Sequence, residues 1–83
     1  MTKGMYKAVK DSSKENFITI HFFNEFTIEG FIRHKSTERV SDHINNSSPF
    51  IIIIRGKLTS QNQNYKFDSP RMYNKSSIKS IIL

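Results

Sequence analysis

The sequence predicts one small all-β domain, a five-stranded β-barrel behind a short N-terminal helix, and three observations carry that prediction. The segment FITIHFF alternates with a period of two, the repeat of a half-buried strand. Turn-forming residues then recur at close intervals, at Asn24-Glu25, residues 35–38, Asn46-Ser47-Ser48-Pro49 and Asp68-Ser69-Pro70, which leaves room only for short strands. Finally, 83 residues with 36% hydrophobic content supply a single core. The chain divides into an N-terminal helix or flexible tail over residues 1–16 and a small β-barrel domain over residues 17–83.

Met5, Ala8 and Val9 stand at helical spacing, which predicts a short amphipathic helix over residues 3–11 followed by a polar linker over residues 11–16. A frayed tail is the alternative, because isolated helices under roughly 12 residues are marginal in water. From Phe17 the period is two. Ile18, Ile20 and Phe22 share one face of a first strand, with Phe17, Thr19, His21 and Phe23 on the other. Asn24-Glu25 turns the chain, and residues 26–34 return with Ile28, Gly30 and Ile32 on one face and Thr27, Glu29 and Phe31 on the other, completing a β-hairpin. A glycine inside the second strand predicts a bend or a close backbone approach.

For residues 39–45, RVSDHIN, a single helical turn over residues 41–45 competes with a strand. The strand would point the Asp42 carboxylate inward without a partner, which is costly, so the turn is preferred. Arg39, Ser41, Asp42 and Asn45 then have a structural role, with Ser41 as N-cap and Asp42 capping the turn and pairing with Arg39. Residues 50–54, FIIII, predict a central strand covered on both faces, which residues 55–58 extend. Residues 59–64 are a polar loop of low complexity and the best candidate for disorder. Residues 65–67 and 71–73 are brief strands, and residues 77–83 a closing one.

Charge, motifs and missing residue types narrow the function. The absence of cysteine excludes disulfides and agrees with a reducing cytoplasm, and His21, His34 and His43 lack the close pairing of a structural zinc site. No apolar run is long enough for a signal peptide or a membrane span, so the protein reads as soluble, unprocessed and cytoplasmic. The net charge is +6, concentrated late in the chain. Residues 55–83 carry six cations against Asp68 alone, giving +5, whereas residues 17–54 balance to −1.

Gly30 in a hairpin, RVSDHIN at residues 39–45, the Phe-plus-isoleucine run at residues 50–54 and Asn74-Lys75-Ser76-Ser77-Ile78 before a terminal strand together resemble a family of small, mostly uncharacterised bacterial domains with an R-x-S-D-x-[IL]-N pattern. The resemblance covers residues 17–83 and brings no activity with it. At the level of fold, FFNEFTIEGFI and YNKSSIKSII are similar to pieces of Sm-like barrels, including the bacterial Hfq type. That likeness implies a small barrel. Such barrels usually carry an aspartate soon after the second strand, where this chain has His34-Lys35-Ser36-Thr37, and residues 41–49 have no clear place in their pattern.

The residues themselves bear on three functions. Catalysis is rejected, because Arg39, Asp42 and His43 form the only tempting trio and neighbours on a strand or helical turn do not converge on one atom. No catalytic residue, metal, cofactor or small-molecule substrate is expected. A non-catalytic binding or scaffold module, self-associating or protein-binding, is preferred, since Phe17, Phe23, Phe26 and Phe31 cannot all face inward if the isoleucines do. The alternative is single-stranded RNA binding through the basic, tyrosine-containing C-terminal third, where Arg55, Lys57, Tyr65, Lys66, Arg71, Tyr73 and Lys75 interleave cations with stacking rings.

Overall fold

The computed structural model describes residues 13–83; the expected helix over residues 3–11 lies outside them. In chain order the elements are β1 (Ser13–Phe22), β2 (Thr27–Lys35), α1 (Val40–Ile44), β3 (Phe50–Ile53), β4 (Arg55–Ser60), β5 (Gln63–Phe67), β6 (Arg71–Asn74) and β7 (Ile78–Ile82), with a 3-10 turn at Lys75–Ser77 before β7. One sheet has the order β5-β4-β2-β1-β7, and β3 and β6 form a separate two-stranded ribbon. Every pairing is antiparallel. The β-rich class is as expected. The strand count is not: among the described residues there are seven strands rather than five, and the two sheets do not close into a barrel. The reason lies at two bends. At Ile54, whose N–H donates to the Phe31 carbonyl at 2.9 Å, the chain leaves the ribbon for the large sheet, and at residues 68–70 it goes back.

The hairpin forms where its pattern places it. Ile18 pairs with Gly30 and Ile20 with Ile28, so the isoleucines of both strands fall on one face. Asn24 turns the chain by accepting the Phe26 N–H on Oδ1 at 3.2 Å, and Glu25 takes a left-handed φ of 69°. β1 is longer than its apolar stretch, for it begins at Ser13 and takes in residues that read as linker. Polar cross-strand partners explain the extension: Glu15 lies opposite Arg33 and Lys14 opposite His34, and Asn16 Oδ1 meets His34 Nε2 at 2.5 Å.

Ile18, Ile20 and Phe22 from β1, Ile28 and Ile32 from β2, Ile51 and Ile53 from β3 and Phe67 from β5 are the buried core. Burying each of these side chains stabilises the fold by roughly 1.5–3 kcal/mol. Gly30 and Gly56 face each other across β2 and β4. A Cβ on Gly30 would lie 2.6 Å from the Arg55 carbonyl oxygen, and one on Gly56 would lie 2.5 Å from that of Glu29. The close approach expected at Gly30 is therefore made to a second glycine.

Three further expectations need correction. Residues 50–54 are not a central strand covered on both faces: Ile51 and Ile53 are buried, whereas Phe50 is 43% and Ile52 47% exposed, because a two-stranded ribbon packs on only one side. Residues 59–64 are not a loop. Thr59 and Ser60 end β4, Gln63 and Asn64 begin β5, and only Gln61 and Asn62 turn, with Gln61 at a φ of 56° and Thr59 Oγ1 donating to Asn64 Oδ1 at 2.9 Å. The helical turn preferred at residues 41–45 forms one residue earlier, at Val40–Ile44, and its N-cap is Arg39, without a side-chain capping bond, so neither Ser41 nor Asp42 caps it.

Candidate functional site

The structure divides the basic candidates between the two faces of the fold. Arg55 and Lys57 lie on the outer face of the large sheet, with Lys66 directly opposite Lys57. Arg55 donates to Glu15 Oε1 at 2.7 Å while stacking over the Phe31 ring at 4.5 Å, and Lys57 stands 3.4 Å from Glu29 Oε1. Glu15 also accepts from Arg33 at 3.0 Å. The hydrogen bond from Arg55, then that from Arg33, lowers the Glu15 carboxyl below its ordinary 4.5, and the same carboxylate raises Arg55.

Tyr65, Arg71 and Tyr73 belong to the inner face. Tyr65, opposite Leu58, is half exposed and donates its hydroxyl to Gln63 Oε1. Arg71 lies over the buried Phe67 ring at 4.8 Å, and Tyr73 packs against Phe22 with ring centroids 5.5 Å apart. Lys75 stands on neither face. It ties residues 46–49 to the turn before β7, with Nζ donating to the Asn46 carbonyl at 3.0 Å and its backbone N–H to the Pro49 carbonyl at 2.8 Å. The seven candidates thus do not form one track.

Arg39, Ser41, Asp42 and Asn45 lie in α1 or at its two ends. Arg39 Nε donates to Asp42 Oδ2 at 3.1 Å, the Asn45 N–H donates to the Ser41 carbonyl at 3.0 Å, and His43 Nδ1 meets Glu38 Oε1 at 3.1 Å. Among the described residues no cluster of His, Cys, Asp or Glu could hold a metal ion, and no helix is long and apolar enough to cross a membrane.

Sequence reasoning missed an apolar strip. Phe50 and Ile52 of β3 point away from the core, and Met72 of β6, which is 60% exposed, pairs directly with Ile52. Beside the strip a cleft of about 290 Å³ runs between the ribbon and α1, with Ile44, Ile54 and His43 among its walls. The signal lay in residues 50–54, where four adjacent isoleucines conceal the alternation that assigns half of them to the surface. A second exposed group, Phe17 on the outer face and Phe23 in the β1–β2 turn, is the one the phenylalanine count anticipates. No family model, no curated protein and no solved structure matches this chain.

Proposed function

We propose that this chain is a non-catalytic binding module of the cytoplasm that associates with further copies of itself, or docks a protein partner, through the outer face of the β3–β6 ribbon. The strip of Phe50, Ile52 and Met72 carries the reading. Contiguous apolar surface on a small domain is stabilised when a partner covers it. Against catalysis stands the use of the carboxylates, since Glu15, Glu29, Glu38 and Asp42 are each held by a neighbouring Arg, Lys or His. The likeness to Sm-like domains belongs to the same proposal: residues 50–60 and 63–74 each run through both sheets as one segment, so that the seven strands come from five stretches of chain.

Single-stranded RNA binding is the second reading, and one observation favours it. Lys66 lies directly opposite Lys57 at the sheet edge, and whereas Glu29 stands 3.4 Å from Lys57, Lys66 has no acidic partner among the described residues. Sedimentation equilibrium separates the two readings. Self-association between about 5 and 300 μM that persists at about 500 mM salt, where surface charges are screened, is the expected result. Ile52→Glu and Met72→Glu should each return a folded monomer. A chain that stays monomeric throughout, and binds labelled single-stranded RNA with an affinity falling about twentyfold between about 50 and 200 mM salt, as roughly three phosphate contacts require, would overturn the proposal in favour of the second reading.

A further inference from the structure

A separate cavity of about 290 Å³ opens on the inner side of the fold, between the β1–β2 turn, β4 and β6. Its apolar walls are Phe22, Phe26, Leu58 and Tyr73. Its polar lining includes Arg71, Asn24 and Asn74. That volume is at the lower end for small-molecule sites, roughly 300 Å³ and upward, and flat aromatic walls with a few convergent polar groups are their usual make-up.

Arg71 is the one charged group among the described lining residues, and Asn24, Asn74 and Ser77 add neutral polar groups. Asn24 Oδ1 accepts the Phe26 N–H at 3.2 Å and Asn74 Oδ1 accepts the Ser76 N–H at 3.0 Å. A backbone N–H requires an acceptor, so these two bonds fix both side-chain amides with oxygen inward to the chain and leave each NH2 available to donate. Among the described residues Arg71, stacked over Phe67, makes no ion pair, and none that lines the cavity carries a carboxylate. An uncommitted guanidinium with no opposing carboxylate among the described lining residues selects an anion, and it suits a carboxylate because it can bond both oxygens. The Tyr73 hydroxyl plays no part in this selection, since it is closed to solvent; its ring supplies wall.

We infer that this cavity binds a small aromatic carboxylate, its ring held among Phe22, Phe26, Leu58 and Tyr73 and its carboxylate received by Arg71 beside the Asn24 amide. This site lies on the side of β6 opposite the Met72 strip, so it stands or falls independently of self-association. The test is a 1H–15N chemical-shift titration with sodium benzoate at constant ionic strength, beside benzyl alcohol, which keeps the ring without the charge, and acetate, which keeps the charge without the ring. Saturable shifts confined to the amides around Asn24, Phe26, Leu58, Arg71 and Asn74 are expected, with a millimolar or tighter Kd for so small a ligand. Benzyl alcohol and acetate should each bind at least about tenfold more weakly, a difference a lost charge-assisted pair or a lost ring readily supplies. Arg71→Gln should weaken benzoate by a similar factor and Arg71→Lys by less. Benzoate shifts that do not saturate or that scatter over the surface would overturn the assignment. So would equal binding of benzoate and benzyl alcohol, or an Arg71→Gln protein whose spectrum matches the parent away from the cavity and which binds benzoate unchanged.

Discussion

Replacing Gly30 with alanine probes the seam that lets β2 and β4 lie together. The new Cβ would stand 2.6 Å from the Arg55 carbonyl oxygen and 2.7 Å from Ile53 Cγ2, where ordinary contact begins at 3.4 Å. Both neighbours would have to retreat by about 0.7–0.8 Å, and neither is free to do so, the first being backbone within a strand pair and the second a fully buried side chain. Overpacking a core costs about 1–3 kcal/mol, and two rigid neighbours place this case at the upper end. Alanine recovers about 0.4–1 kcal/mol by restricting the unfolded chain, because neither glycine has a positive φ. The net expectation is a loss of about 2 kcal/mol, a large share of the total for a domain of this length. Urea denaturation followed by circular dichroism measures it, with Lys66→Ala as an exposed control expected to change stability by less than about 0.5 kcal/mol. A Gly30→Ala protein within that same margin of the parent would refute the close-approach argument. Gly56→Ala strikes the same seam from the other side, so the double variant should lose less than the sum of the two singles.

Two other predictions concern groups whose surroundings are unusual. The Tyr73 hydroxyl is buried without a hydrogen-bond partner among the described residues, and such a group costs about 1–3 kcal/mol, so Tyr73→Phe should raise stability by about 1 kcal/mol, or Tm by about 4–8 °C. A fall in Tm on thermal melting would mean that the hydroxyl is satisfied after all. Glu15, lowered from 4.5 by Arg55 and Arg33, contributes stability that is complete above pH 4.5 and is lost as the pH drops through its folded value. Glu15→Gln should therefore be less stable than the parent at pH 7, and the gap between their Tm values should narrow steadily below pH 4.5; a gap constant from pH 7 to about 2 would remove Glu15 from the account.

Much of the fold is legible where one face of a strand is apolar and the other polar. Ile18, Ile20 and Phe22 against Ile28 and Ile32 define the hairpin and its buried face, and the structure keeps that register. Legibility ends where burial is not the organising force. Residues 13–16 join β1 through polar partners 18 residues further along the chain, and no single-strand pattern records partners that lie across the hairpin. The same holds for Thr59, Ser60, Gln63 and Asn64, whose uniform polarity reads as loop although their backbones pair. The run at residues 50–54 fails for the opposite reason. Isoleucine at every position satisfies a fully buried strand and a half-buried one equally, and only the number of layers around the ribbon decides between them. Whether a strand stays in one sheet also depends on contacts remote in sequence, which is why the bends at Ile54 and residues 68–70 raise the strand count without any local signal.

Charge illustrates the same limit and bears directly on function. Along the chain the cations gather in residues 55–83, and a reading confined to sequence makes that segment a track for phosphates. In space β4 lies beside β2, and β2 beside β1, which brings Arg55 to Glu15 and Lys57 to Glu29. Lys75 is spent on the Asn46 carbonyl. Of the seven basic and aromatic candidates, Lys66 on the outer face and Arg71 on the inner face are the cations with neither an ion pair nor a side-chain hydrogen bond among the described residues. Two cations on opposite faces cannot follow one phosphate backbone, but Arg71 alone, set in an aromatic cavity, is sufficient to receive a single small anion. The apolar ribbon face needs neither. A chain that associates through Phe50, Ile52 and Met72 while holding an aromatic acid beside Arg71 would use the two surfaces of β6 for different purposes, and the salt response distinguishes them: screening should weaken the second and leave the first.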